Sequence, residues 1–312
     1  MIFPKKPKPG ALVGLAAPAS PVSEQECCRC VRQLKTMGYR VLPGETLYQP
    51  HRLRGYLAGE AGVRARDLNR MFADPDVEAV FCVRGGYGSA QLLEYLDYDC
   101  IRKNPKAFIG YSDVTSLHGA IQKHCGLVTF HGPMVKSDMI NGLDDYSKKS
   151  LYAALGMKTG ESVAFCNPPG EEFTVIREGS AHGRLVGGNL SVFARSLGTA
   201  YVPDTRGCIL FLEDTGESIQ RLDMYLTQLR LAGIFEEVEG VLLGGFIKCP
   251  GEGANGVPGA EDFLYQWFGA LSIPVLGNLY SDHRSPTGTL PLGCLCRMDA
   301  RQQMILFERQ ML

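Results

Sequence analysis

Three polar residues, each lying just past an apolar run, carry the side chains that acyl-transfer chemistry uses: Ser112, Glu213 and His283. Ser112 follows Ala107-Phe108-Ile109-Gly110-Tyr111 and precedes a helix-like stretch that reaches His124. A serine held at such a strand-to-helix turn exposes its hydroxyl above the sheet. The N–H of the next residue, here Asp113, then lies where an oxyanion could accept a hydrogen bond. Gly110 lets the chain turn tightly beneath the serine. The match to the G-x-S-x-G elbow is partial, because Asp113, Val114 and Thr115 follow the serine and no glycine does. A plainer reading of the same stretch has Ser112 capping the helix.

A glycine turn, Arg84-Gly85-Gly86-Tyr87-Gly88, closes another strand-like run. In a parallel sheet that tip and the tip bearing Ser112 share the edge where ligands bind. The turn lacks the spacing and the Lys-Ser/Thr of a phosphate loop. It reads either as a second oxyanion donor, through Gly86 N–H, or as a tight βα turn. Ile209-Leu210-Phe211-Leu212 runs into Glu213 and Asp214, which point to opposite faces of a strand and so cannot do the same job. An acid beside a helix start is the competing reading there. His283 stands in the polar loop Ser281-Asp282-His283-Arg284-Ser285-Pro286, a place for a general base, whereas His51 and His182 have nothing around them to suggest a task. His118 and His124 read as packing or surface residues. Combined, the imidazole would take the serine proton and the carboxylate would fix its tautomer. The order Ser…Glu…His is that of α/β-hydrolases, but the acid and base fall in a later domain, so this reading expects the site where two domains meet.

The elements that must position these residues alternate through the first part of the chain. Strands are expected over 12–17, 39–42, 77–83, 107–111 and 127–130, with helices over 22–37, 62–72 and 89–96. Connections of this length imply a mostly parallel sheet covered on both faces. Residues 136–172 are more polar and read as a linker with one helix at 148–155. Later strands at 208–212, 238–246, 273–276 and 304–308, with a helix at 219–231, indicate a second domain of mixed, more β-rich type. The expected division is thus 1–135, 136–172 and 173–312.

Composition narrows the class. With 32 Lys plus Arg against 33 Asp plus Glu, the net charge of -1 argues against nucleic acid or an anionic membrane as the main partner. No apolar run reaches the roughly 18 residues of a membrane helix. Lys5, Lys6 and Lys8 before the apolar 11–17 stretch loosely resemble a secretory leader, but Gly14 and Pro18 interrupt it and it serves better as a first strand, so a cytoplasmic protein is expected. Eleven cysteines cannot all pair within one chain, and neither Cys27-Cys28-x-Cys30 nor Cys294-x-Cys296 has zinc-site spacing. Buried reduced thiols are the reading that follows.

The residues resemble the LD-carboxypeptidase family, which includes muramoyl-tetrapeptide carboxypeptidase and the microcin C self-immunity peptidase. Markers occur in order along nearly the whole chain: Ala17-Pro18-Ala19-Ser20, Val83-Arg84-Gly85-Gly86-Tyr87-Gly88, Gly110-Tyr111-Ser112-Asp113 and Thr129-Phe130-His131-Gly132-Pro133-Met134. Then come Gly187-Gly188-Asn189-Leu190, Leu212-Glu213-Asp214, and His283 followed by Thr289-Leu290-Pro291-Leu292-Gly293. The resemblance implies an α/β fold: a flavodoxin-like parallel-sheet N-terminal domain with a smaller β-rich α+β C-terminal domain, usually in a homodimer. It implies Ser112 as nucleophile, His283 as base, Glu213 as orienting acid, the N–H groups of Gly86 and Asp113 as oxyanion donors, and no metal or cofactor. The implied substrate is a cytoplasmic murein tetrapeptide, cut between the L-centre of a diamino acid and a terminal D-alanine. Arg84, or failing that Arg221, is the expected contact for the substrate's free carboxylate. A peptidyl-nucleotide amide hydrolase of the microcin type and a non-catalytic binding protein are the alternatives. The chain departs from the family pattern at Asp282, where a glycine commonly precedes the histidine, and lacks the asparagine often found shortly after it.

Overall fold

In the computed structural model, which describes residues 1–250 and 259–310, the chain divides into two units. The first comprises Met1–Gly156 and Thr289–Gly293. Its short apolar runs form β1 (Leu12–Ala16), β2 (Arg40–Pro43), β3 (Val77–Cys82), β4 (Ala107–Gly110) and β5 (Thr129–His131). They pair in the parallel order β2-β1-β3-β4-β5, the flavodoxin-like sequence in which strand order reverses between β1 and β3. Helices Glu24–Thr36, Ala61–Ala73 and Thr115–Cys125 cover this sheet. The first begins on a capping box, Ser23 with Glu26, and buries Cys27, Cys30 and Leu34 on one stripe. The stretch after β3 is a 3₁₀ helix, Ser89–Tyr95, rather than an α-helix.

This unit continues past residue 135. Helix Asp145–Leu155, started by the Asp144 side chain, belongs to it. So does a three-residue strand from far along the chain, Leu290–Leu292, which pairs antiparallel with β5. That strand holds Pro291, tolerable because it stands at the sheet's edge. Residues 136–156 thus lie in the first unit and residues 157–172 in the second.

The second unit, Met157–Gly288 with Cys294–Leu312, holds an eight-stranded mixed sheet. Numbering on along the chain, its strands are β6 (Ser162–Ala164), β7 (Thr174–Arg177), β8 (Ser180–Asn189), β9 (Cys208–Thr215), β10 (Gly240–Ile247) and β11 (Val275–Leu279). The Leu290–Leu292 strand of the first unit is β12, and β13 (Leu295–Asp299) and β14 (Met304–Glu308) complete the set. The middle, β8-β9-β10-β11, is parallel, and antiparallel strands flank it. Leu210, Leu212, Val241 and Leu243 pack with Leu222, Leu226 and Leu229 of helix Ile219–Leu231 and Phe268 of helix Ala260–Gly269. No helix among the described residues is long and apolar enough to cross a membrane. Seven of the eleven cysteines are buried, and Cys28 and Cys166 are exposed.

Candidate active site

Ser112 opens a 3₁₀ turn, Ser112–Val114, that links β4 to helix Thr115–Cys125. Its φ of 63° is left-handed, a conformation that non-glycine residues adopt only where the surroundings impose it. Three glycines make the space. A side chain at Gly110 would crowd Val114 and Cys82, one at Gly85 would press on Ser112 itself, and one at Gly86 (φ 128°) would overlap Ser20. The capping alternative is not realised. The residues at the two helix starts are Tyr111 and Val114, and neither start has a side-chain cap.

The residue after the serine anchors the turn. Asp113 is buried and accepts the Ser89 N–H at 2.7 Å, tying the serine turn to the end of the glycine turn. Arg64, 1% exposed, donates to the carbonyls of Pro18 and Gly88 and to Gln91 Oε1. It thereby joins the tips of β1 and β3, and the Asp113 charge sustains its own against the cost of burial. Beneath the turn, His118 Nε2 lies 2.8 Å from the Gly110 carbonyl. A carbonyl only accepts, so Nε2 carries the proton. Complete burial holds this ring neutral, its pKa down to about 4. His118 is thus the packing residue expected of it. Arg84 is half-buried, and its charge helps to keep Glu26 low after the larger effect of the Ser23 backbone bond.

In the second unit, Glu213 lies at the end of β9, wholly buried, with Oε2 2.7 Å from His283 Nδ1. A carboxylate accepts only, so Nδ1 holds the proton and Nε2 is the basic nitrogen, the tautomer a general base requires. Burial pushes the Glu213 carboxyl up, against the pull of the imidazole. Burial also opposes charge on His283, yet Glu213, Asp214 and Asp282 outweigh it and the imidazole ends above its ordinary value. Asp214 points the other way. It accepts from Ser191 N–H at 2.8 Å and Asn189 Nδ2 at 2.9 Å, so the two neighbouring carboxylates have separate tasks.

Asn189 is the link the sequence reading left without a role. It stands beside Glu213 in the β8–β9 register, reaches Glu213 Oε1 at 3.4 Å, and caps helix Leu190–Ser196. The preceding Gly187 (φ 118°) is required because a Cβ there would run into the Phe211 carbonyl. Gly244 similarly leaves room for the Glu213 Cβ. Arg221, the second carboxylate candidate, already pairs with Glu217 at 2.9 Å and with the Tyr225 hydroxyl at 3.1 Å. Among the described residues no cluster of His, Cys, Asp and Glu could hold a metal ion.

Ser112, Gly85, Gly86 and Asp113 therefore gather at one edge of the first sheet, and Glu213 and His283 are bonded at the end of β9. Comparison with known proteins fits this division. Residues 13–132 match the LD-carboxypeptidase N-terminal domain, and residues 182–298 the LD-carboxypeptidase C-terminal domain. A probable murein peptide carboxypeptidase of Bacillus subtilis is 36% identical over 310 residues, covering 98% of this chain and 94% of the relative. A murein tetrapeptide carboxypeptidase of Pseudomonas aeruginosa is 32% identical over 290 residues, covering 90% and 91%. Among solved structures, the microcin C7 self-immunity protein MccF with glutamyl sulfamoyl guanosine gives a TM-score of 0.90 at 26% identity over 100% of both chains. Muramoyltetrapeptide carboxypeptidase from Oxalobacter formigenes gives 0.81 at 29% identity, covering 95% of this chain and 98% of that one.

Proposed function

The chain belongs to the LD-carboxypeptidase family, and from that premise we propose that it is a serine carboxypeptidase of murein tetrapeptides, cutting the amide between the L-centre of a diamino acid and the terminal D-alanine. The observation that carries the reading is the 2.7 Å bond between buried Glu213 and His283. It leaves the imidazole in the tautomer that accepts a proton at Nε2.

In this mechanism Ser112 Oγ attacks the scissile carbonyl while His283 Nε2 takes its proton. The oxyanion accepts hydrogen bonds from the Gly86 and Asp113 amides. Collapse expels D-alanine, whose nitrogen receives the proton back from His283, and leaves an acyl-enzyme on Ser112. Water, deprotonated by the same imidazole, then releases the tripeptide and restores the serine. Arg84 takes the substrate's terminal carboxylate, because Arg221 is committed to Glu217. The seven buried thiols suit a reducing cytoplasm, and a homodimer is the assembly carried over from the family resemblance.

The test is incubation with lysine-type and diaminopimelate-type tetrapeptides, read by mass spectrometry. Loss of one alanine with the wild type and none with Ser112→Ala is expected. Absence of turnover, together with absence of fluorophosphonate labelling at Ser112, would overturn the assignment and leave a binding protein. The fit to MccF favours a second reading, an amide hydrolase acting on aminoacyl sulfamoyl nucleosides, for which cleavage of those compounds but not of the tetrapeptides is the distinguishing result.

A further inference from the structure

The two residues that flank His283 are bonded to each other around it. Asp282 is 1% exposed and Arg284 is half-buried. The Asp282 carboxylate accepts the Arg284 backbone N–H at 2.7 Å, Arg284 Nε at 2.9 Å and Arg284 Nη2 at 2.7 Å. A side chain that bonds the N–H two residues on closes a tight turn, which fixes the backbone of the residue between them. The guanidinium is itself immobilised, by Asn278 Oδ1 at 2.9 Å, by the Leu279 carbonyl at 2.9 Å and by stacking 3.8 Å over the Tyr280 ring. Four of its five N–H donors and one face are used, so it cannot swing away without leaving a buried carboxylate without its cation.

The same carboxylate reaches the acid's side of the sheet. In β10 the register with β9 slips between Leu243, opposite Leu212, and Phe246, opposite Asp214, so Gly244 and Gly245 together face Glu213. That is a bulge, and bulges release an amide from the ladder and redirect it. Here the Gly245 N–H donates to Asp282 Oδ2 at 2.7 Å. The glycine pair is dictated by both neighbours. A Cβ on Gly244 would stand 2.9 Å from the Glu213 Cβ, and one on Gly245 would stand 2.7 Å from Asp282 Oδ2.

We propose that Asp282 and Arg284 are positioning residues for the reaction: a clamp, keyed into the β10 bulge opposite Glu213, that holds the His283 loop at hydrogen-bond distance from its acid. The inference rests on the assignment of His283 as the base. It gives a role to a place where the chain departs from the family pattern, since the glycine expected at 282 could not tie the loop in this way. The charged groups that act on His283 in its unit are Glu213 and, from the other face of β9, Asp214, together with Asp282 from its own loop, all of which favour the imidazolium. Asp282→Asn should therefore act on the base's titration as well as on its position.

The experiment compares kcat, KM and the pH dependence of kcat/KM for the tetrapeptide in the wild type, Asp282→Asn, Arg284→Lys, Ser112→Ala and His283→Ala, with a thermal melt of each. The clamp predicts a fall in kcat on the order of 10- to 100-fold in Asp282→Asn and Arg284→Lys with KM held within about twofold. It also predicts an acid limb moved to lower pH in Asp282→Asn. Because the lysine keeps the charge but not the fork, Arg284→Lys tests position even if Asp282→Asn does not fold. Wild-type kcat in either clamp variant, with the Ser112 and His283 variants inactive, overturns the clamp alone. A lowered melting temperature with an unmoved acid limb reduces Asp282 to a structural residue and overturns it as well. Wild-type turnover in Ser112→Ala or His283→Ala overturns the triad, and the clamp falls with it.

Discussion

Gly85 lies so close under Ser112 that a methyl group there would stand 3.0 Å from the serine Cβ and 3.1 Å from its Oγ. The hydroxyl is thus placed by what the β3 turn leaves out. Gly85→Ala should push Ser112 away from its left-handed position and slow fluorophosphonate labelling on the order of 10-fold or more, as small displacements of a reacting group do. Gly142→Ala is the control: its φ of 96° adds a backbone strain that Gly85 lacks, but a Cβ there meets nothing within 4 Å. It should cost about 1 kcal/mol of stability and leave labelling unchanged. Equal labelling rates in the two variants would refute the packing argument.

The Glu213–His283 bond sets the pH dependence. Glu213, with Asp214 and Asp282, raises the imidazole above its ordinary 6.5 despite burial. A general base works when neutral, so activity falls as pH drops through the raised value and levels off above it. The acid limb of wild-type kcat/KM is expected above pH 6.5. In Glu213→Gln the carboxylate's share is gone and the limb moves down. The amide NH₂ also favours the tautomer with the proton on Nε2, which cannot accept from serine, so kcat drops on the order of 10³- to 10⁴-fold. An acid limb left in place would remove Glu213 from the role.

The first sheet was legible because its strands are short apolar runs punctuated by Gly, Pro and polar clusters, and β1, β3 and β4 fall close to their expected bounds. The second was legible only in part. Glycines at 183, 187 and 188 hide the central strand β8, although those at 183 and 187 are what lets it approach the chain beside it. The Leu290–Leu292 strand is three residues long and contains a proline, so nothing local marks it. The residue types of the candidate site could be read, but a bond between residues 70 positions apart could not. Arg64 was invisible for another reason. In a helix that also carries Arg66 and Arg70 it looks like one more solvated cation, and only its burial distinguishes it.

That burial makes Arg64 a sensitive point. Arg64→Met would strip donors from the Pro18 and Gly88 carbonyls and from Gln91, and would leave buried Asp113 without its nearby cation. Losing one partner of a buried charged network costs about 3 kcal/mol. Arg64→Lys should recover little, because one ammonium cannot span the acceptors of a fork. A melting temperature for Arg64→Met within a degree of wild type would show that the network does not stabilise the unit.

Arg84 makes a separate kinetic prediction. If it binds the terminal carboxylate, Arg84→Ala loses a charge-assisted contact worth about 1.5–3 kcal/mol, which lowers kcat/KM for the tetrapeptide roughly 10- to 100-fold. A tetrapeptide amidated at its C-terminus offers no such charge. It should be poor with the wild type and no worse with the variant. If the variant slows both peptides equally, Arg84 shapes the turn instead of reading the substrate.

His118 offers a test of the scaffold under the serine turn by pH alone. Folded, it is neutral, with a pKa of about 4 against 6.5 for an ordinary imidazole, because burial denies the charged form solvent. Between those values the unfolded chain holds a proton that the folded one lacks, so stability falls as pH decreases from 6.5 towards 4 and is level above. The full difference amounts to about 3 kcal/mol. His118→Gln keeps an N–H for the Gly110 carbonyl but cannot titrate. It should lose some stability at pH 7 through the ring contact with Phe108, yet show a flatter decline in denaturant midpoint across pH 4–6.5. Parallel declines in the two proteins would mean that the proton taken up on unfolding belongs elsewhere. A flattened decline with unchanged Ser112 labelling at neutral pH would place the Gly110 carbonyl bond, rather than the imidazole's charge state, as what supports the turn.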